Sequence, residues 1–181
     1  MPIPEFVVEL RRHMGKAPLW LIGSTAVIVR DVPEAGPITS GEVLLVKRAD
    51  SGSWSPVTGI VDPGEDPHVT AVREAQEEAS VQARVERLVW VCAGGLVTYA
   101  NGDQTRYLDH TFLCHWESGE PAVGDDENLD ARWFRIGELP EMAPAFARRI
   151  EVALSRPEQT MLGPGPDGIR EEDIRFGSPR D

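Results

Sequence analysis

The chain is 181 residues long, 41% hydrophobic and 27% charged, with a formal net charge of -12. That length supports one domain with a real core, and the composition is that of an ordinary soluble globular chain. The acidic balance argues against a nucleic-acid polymer or an anionic membrane as partner, since both require a basic face. A small phosphorylated ligand remains admissible if a cation bridges the two negative partners.

The first stretch, MPIPEFVVELRRHMG, carries charges inside an amphipathic pattern and so is not the apolar core of a signal peptide. No run approaches the roughly 20 apolar residues of a membrane-spanning helix. Cys92 and Cys114 have neither metal-ligand spacing nor a disulfide framework. Together these features predict a cytoplasmic protein with reduced cysteines.

In chain order, residues Pro4 to Met14 predict a short helix, and the β-branched run from Trp20 to Asp31 a strand. EVLLVKRA, from Glu42 to Ala49, is nearly continuous in apolar residues and predicts a strand buried on both faces. The Gly/Pro-rich segment between these strands fits a hairpin. RVERLVWVCAG and TRYLDHTFLCHWE are two further strands, joined through YANGD, where Asn101-Gly102 is a hairpin signal. ARWFRI is a last strand, and GELPEMAPAFARRIEVALS carries helical spacing with Phe146, Ile150, Ala153 and Leu154 on one side. From Arg156 onward Pro, Gly and charge dominate, so residues 1–155 are read as the domain and 156–181 as a tail. Strands interleaved with two or three helices predict an α/β or α+β layered domain.

The segment GIVDPGEDPHVTAVREAQEEASV, from Gly59 to Val81, concentrates the chemistry. Asp66 suits an N-cap and Pro67 the first helical position, which predicts a helix to about Ala79. At about 100° per residue, Glu74, Glu77 and Glu78 share an arc of about 100°. Val69, Val72, Ala75 and Ala79 fall opposite, on the face expected to pack on a sheet. Such a line of carboxylates is either a solvated acidic face or a hard-oxygen site for Mg²⁺ or Mn²⁺. Arg73 can orient a carboxylate by a bidentate pair, and the upstream loop GIVDPGE has the glycines to bring its backbone close to a ligand.

The wider spacing narrows the choice. Gly59, five residues, Glu65, seven residues, then REAQEEASV resembles the signature of the Nudix (MutT-like) hydrolases. Gly59, Glu65, Arg73, Glu74, Glu77, Glu78 and Val81 all fall on that pattern. The resemblance extends over roughly Leu19 to Ile150. Ser80 departs from it, standing where the family has a glycine just past the helix. The resemblance implies an α/β/α sandwich with a mixed sheet between helices. It also implies a Mg²⁺- or Mn²⁺-dependent hydrolase that cuts a pyrophosphate bond in a nucleoside diphosphate linked to a moiety X. Carried over residue by residue, Glu77 and Glu78 are metal ligands, as is the Gly59 carbonyl, and Glu74 is a ligand or the general base. Glu65 and Arg73 brace the loop against the helix from behind the ligands. Some members take their base from a later loop, where Asp125, Asp126 and Glu127 are available and Glu127 is preferred. Tyr99 is a candidate base contact, although an aromatic beside a hairpin turn is also ordinary cross-strand packing. The N-terminal helix and strand offer a surface for a homodimer. The competing expectation is a Nudix-fold protein that binds or senses a nucleotide with little or no catalysis.

Overall fold

The computed structural model of the chain describes residues 3–124 and 127–163. In chain order these form α1 (Glu5–Met14), β1 (Leu19–Arg30), β2 (Glu42–Arg48), β3 (Trp54–Ser55), β4 (Val57–Ile60), α2 (Pro67–Ala79) and β5 (Gln82–Ala93). They continue with β6 (Val97–Thr98), β7 (Gln104–Ser118), β8 (Asn128–Arg135), α3 (Pro144–Ser155) and β9 (Met161–Leu162).

The core of the sheet is a parallel pair, β1 beside β7, in register from Leu19 opposite Thr105 to Val29 opposite His115. A parallel pair is normally covered on both faces, and period-two alternation sorts its side chains between two layers. Ala26, Ile28, Phe112 and Cys114 share one cluster with Ala71, Ala75 and Ala79 of α2. Val27, Val29 and Leu113 share the opposite cluster with Ile150, Val152 and Ala153 of α3. Nearer the start of β1, Leu19 and Leu21 pack with Val7 of α1 and with Tyr107. The result is a mixed sheet between helices, the expected α/β/α sandwich.

Several local expectations change. The predicted hairpin of β1 and β2 survives as two paired positions, Val29 with Val43 and Arg30 with Glu42. Beyond them the strands part: β4 takes up β1 from Gly23–Ile60 to Ala26–Val57, while β2 pairs with β8. Gly59 and Ile60, expected in a loop, therefore end a strand. The last long helix starts at Pro144, well after Gly137. The compositionally distinct segment after Ser155 begins by adding an edge strand, with Met161 opposite Trp90 and Leu162 opposite Val91. Trp90 Nε1 donates to the Gly163 carbonyl at 2.7 Å and Thr160 Oγ1 to that of Leu88 at 2.9 Å. No helix among the described residues is long and apolar enough to cross a membrane.

Candidate active site

Helix α2 opens as its sequence demands, with Asp66 extended and Pro67 at the first helical position. The Asp66 side chain makes no capping bond, however; its carbonyl accepts from Val69 and Thr70 N–H at 2.9 and 3.2 Å. Ser24 Oγ on β1 donates to the Pro67 carbonyl at 2.7 Å and pins the helix start to the sheet.

The helix is rotated from the orientation its apolar residues suggest. Its buried face is Thr70, Ala71, Glu74, Ala75, Glu78 and Ala79, while Val69 is 46% exposed. The glutamates do share an arc, but Glu74 and Glu78 turn inward, each 3% exposed, and only Glu77 lies in the open. Close approach is the physical reason. The alanines let α2 sit low on the sheet, and a Cβ added at Gly59 would collide with the Glu74 carboxylate. Only a residue without a side chain leaves Glu74 that space.

Arg73 organises the carboxylates. Its Nε and Nη2 donate to the two oxygens of Glu65, both at 3.0 Å, and Nη1 donates to Glu74 Oε1 and to Glu77 Oε2, both at 2.9 Å. Thr70 Oγ1 adds a 2.6 Å bond to Glu65. The Arg73 bonds, with that of Thr70, hold the Glu65 carboxyl down at about 2, against burial. Glu74 moves the other way. Burial pushes it up to about 7; Arg73 recovers part of that, and the charges of Glu77 and Glu127 add to the rise.

Glu127 is thus electrostatically joined to Glu74, and its carbonyl accepts from Ala49 N–H at 2.7 Å at the end of β2. Asp125 and Asp126, the alternatives on the same loop, lie outside the described residues. The site also gains a cation that sequence reasoning passed over. Arg48 is bound by Asp50 at 3.1 and 2.9 Å, reaches Thr58 Oγ1 at 3.5 Å, and lies within the fields of Glu78 and Glu127. Its only sequence signal is a Lys-Arg pair at the end of an apolar strand. Tyr99 takes no part in this cluster: its hydroxyl meets that of Tyr107 at 2.7 Å across the β6–β7 hairpin.

The donor set suits a hard divalent cation, since it offers carboxylate oxygens on a buried face pressed against the Gly59 backbone. It is not gathered in advance. Among the described residues no three His, Cys, Asp or Glu side chains converge on one point, and Arg73 bridges Glu74 and Glu77.

A family model described as NUDIX domain matches residues 25–154. An NAD-capped RNA hydrolase, NudC, of Pseudomonas syringae pv. syringae (strain B728a) is 29% identical over 145 residues, which are 71% of this chain and 48% of that protein. The chain spans about half the length of the curated relatives it matches. Among solved structures, a MutT NUDIX hydrolase from Burkholderia pseudomallei is 30% identical with a TM-score of 0.54, covering 74% of this chain and 97% of that one. An ADP-ribose pyrophosphatase from Streptococcus suis 89-1591 shares the fold with a TM-score of 0.56 at 20% identity, covering 79% and 98% of the two chains.

Proposed function

This chain belongs to the Nudix family of hydrolases, and from that premise we propose that it cleaves the pyrophosphate bond of a nucleoside diphosphate linked to a moiety X, with Mg²⁺ or Mn²⁺. The observation that carries the reading is the burial of Glu74 and Glu78 at 3% exposure each, a burial that, with a smaller push from the charges of Glu77 and Glu127, lifts Glu74 to about 7. Buried carboxylates in such company cost stability unless a cation joins them.

The residues divide the work. Glu74, Glu77, Glu78 and the Gly59 carbonyl hold the metal, which when bound neutralises phosphoryl oxygens and acidifies a water. Arg73, held by Glu65 through two 3.0 Å bonds, orients the carboxylates of Glu74 and Glu77. Glu127 receives the proton from the attacking water, with Glu74 as the other candidate. Arg48 faces the phosphate oxygens with a guanidinium already oriented by Asp50. Water adds to one phosphorus, the bridging P–O bond breaks, and the leaving phosphate takes up the displaced charge.

The substrate is a small nucleotide: the net charge of -12 opposes a long nucleic acid. The names of a relative, an NAD-capped RNA hydrolase, and of a structural neighbour, an ADP-ribose pyrophosphatase, are in keeping with cleavage at a pyrophosphate. A cytoplasmic setting suits such a substrate and suits the free Cys92 and Cys114. The test is a panel of nucleoside di- and triphosphates, dinucleoside polyphosphates and nucleotide sugars with Mg²⁺, with products identified. Glu78→Gln should lower turnover on the order of 10³-fold with the thermal midpoint preserved. Wild-type turnover in that variant would sink the site, and nucleotide binding without any turnover by the parent would favour a sensor.

A further inference from the structure

Strand β8 does not keep step with β2 along its whole length. Val46 lies opposite Ala131 and Lys47 opposite Asp130, but Arg48 lies opposite Asn128, so the register slips by one residue at the start of β8. A bulge of this kind re-aims a side chain. Leu129, the residue passed over, is left 62% exposed, whereas Asn128 is 6% exposed. The chain thus buries an amide where the next residue along would have supplied an apolar side chain. That register is held in place, because the Glu127 carbonyl accepts from Ala49 N–H at 2.7 Å.

The buried amide is incomplete. Asn128 Nδ2 carries two N–H donors and has no hydrogen-bond partner among the described residues. Arg48, across the ladder, is itself only a donor and offers it nothing. Burying an amide with unmet donors is costly. An asparagine kept for architecture bonds its surroundings, as Asn101 Nδ2 bonds Asp103 at 3.0 Å in the β6–β7 hairpin.

The carboxylate site lies over this position. Val46 and Ala131 share a cluster with Ala75 and Ala79 of α2, so the helix covers this face of β2 and β8, and α2 packs against β8 directly. Arg48, opposite Asn128, lies within the fields of Glu78 and Glu127. The loop leading into β8 is tied to the last turn of α2. Ala122 N–H donates to the Ala79 carbonyl at 3.1 Å, and Gly124 N–H to that of Glu78 at 3.3 Å. Glu78, 3% exposed, is the last of the three glutamates along the helix and the buried one at this end.

We infer that Asn128 is a positioning residue of the metal site, and that its Nδ2 donates to the Glu78 carboxylate when that carboxylate ligates a divalent cation. The amide fixes the orientation of the ligand from behind, and a donor that the chain itself leaves unmet gains its acceptor. The bulge is the device that brings an amide, rather than Leu129, to that place. This role rests on the hydrolase reading above.

The experiment measures Mn²⁺ binding without substrate, from the paramagnetic resonance of free Mn²⁺, beside thermal midpoints in a chelator. Asn128→Leu keeps the branched shape and lacks the amide. Its Kd for Mn²⁺ should rise about tenfold, the scale for a residue that orients a ligand. Its midpoint in chelator should not fall, because a buried donor without an acceptor is removed. A structural asparagine would do the reverse, lowering the midpoint and sparing the Kd. Asn128→Ala should show the same tenfold loss of affinity, which separates the amide from the packing of the leucine. In a Glu78→Gln background Asn128→Leu should change the Kd less than twofold, since the amide then has no carboxylate to orient. Affinity unchanged in both single variants overturns the inference, as does a tenfold loss that persists in Glu78→Gln. Either result leaves the metal site standing. A wild type that binds no Mn²⁺ overturns the metal site itself and this role with it.

Discussion

Glu74 and Asp109 are two buried carboxylates, 3% and 6% exposed, on opposite faces of one sheet, and the chain treats them in opposite ways. Asp109 accepts from Thr25, Thr111 and Arg149. Glu74 accepts from Arg73 Nη1, a donor it shares with Glu77, and it has Glu77 and Glu127 as neighbours in charge. The first carboxylate is completed by the protein and belongs to the architecture. The second is held at about 7 by burial, so the apo protein bears a cost that a cation would remove. Partner counts, more than burial, separate a structural carboxylate from one kept for a ligand.

The largest effect should come from breaking the satisfied member. Asp109→Ala leaves the Arg149 guanidinium and two threonine hydroxyls without their acceptor inside the protein. Removing one partner of a buried ion pair costs about 3–5 kcal/mol, readable as a lower urea midpoint. A loss below about 1 kcal/mol, the worth of an exposed pair, would mean that Arg149 reaches water and that the two faces differ less than their bonding implies.

Substituting Glu74, the member with the single shared donor, should do the opposite to apo stability. The folded pKa of Glu74, about 7, lies above its ordinary 4.5, so the folded state holds a proton that the unfolded chain gives up. Metal-free stability should therefore fall as pH rises through that window, with the full penalty present above it. Glu74→Gln should remove this slope and raise metal-free stability at pH 8 by on the order of 2 kcal/mol, while impairing turnover. Glu65 has the reverse sign: its folded value, about 2, lies below the ordinary 4.5. Its contribution is intact above the ordinary value and is lost as pH falls toward 2. Thermal melts against pH in the presence of a chelator should show a maximum near pH 5. Glu65→Gln should flatten its acid limb and Glu74→Gln its alkaline limb; a wild-type curve level from pH 5 to 8 would remove the claim of a strained Glu74.

What the sequence disclosed and what it withheld follow the same division. The glutamate line was legible because its members lie within five residues on one helix, where periodicity alone sets their relative angles. Which way that line faces was not, because Val69 and Val72 advertise an apolar side that the sheet does not use. The helix is turned by its alanines and by the missing side chain of Gly59, and that residue comes from another strand. The Asp109–Arg149 pair, 40 residues apart on a strand and a helix, has no local pattern at all. β4 was hidden by its glycine and the prolines around it, and β9 by a Pro/Gly-rich setting in which two strand residues leave no alternation to read. Arg48 was visible only as a charge at a strand end, where solvated charges are ordinary.

The exit of α2 repeats the contrast on the smallest scale. Ser80 occupies the left-handed region with φ of 58°, the conformation that the family's glycine would adopt freely. Its N–H still bonds the Gln76 carbonyl at 3.1 Å, and Gly124 N–H bonds that of Glu78 at 3.3 Å, so the turn is complete without a glycine at position 80. Glycine is needed next door instead. An added Cβ at Gly119 would lie 2.7 Å from the Ser80 carbonyl oxygen, and one at Gly124 would overlap the carbonyl of Glu77. Ser80→Gly should relieve about 1–2 kcal/mol of left-handed strain and return about 0.4–1 kcal/mol through the looser unfolded chain. The net gain is under about 1 kcal/mol, a rise of a few degrees at most in the thermal midpoint. Turnover should not change, because Glu74, Glu77 and Glu78 are set upstream by Gly59 and Arg73. A several-fold increase in turnover would show instead that the serine holds the helix end, and Glu78 with it, away from its working position.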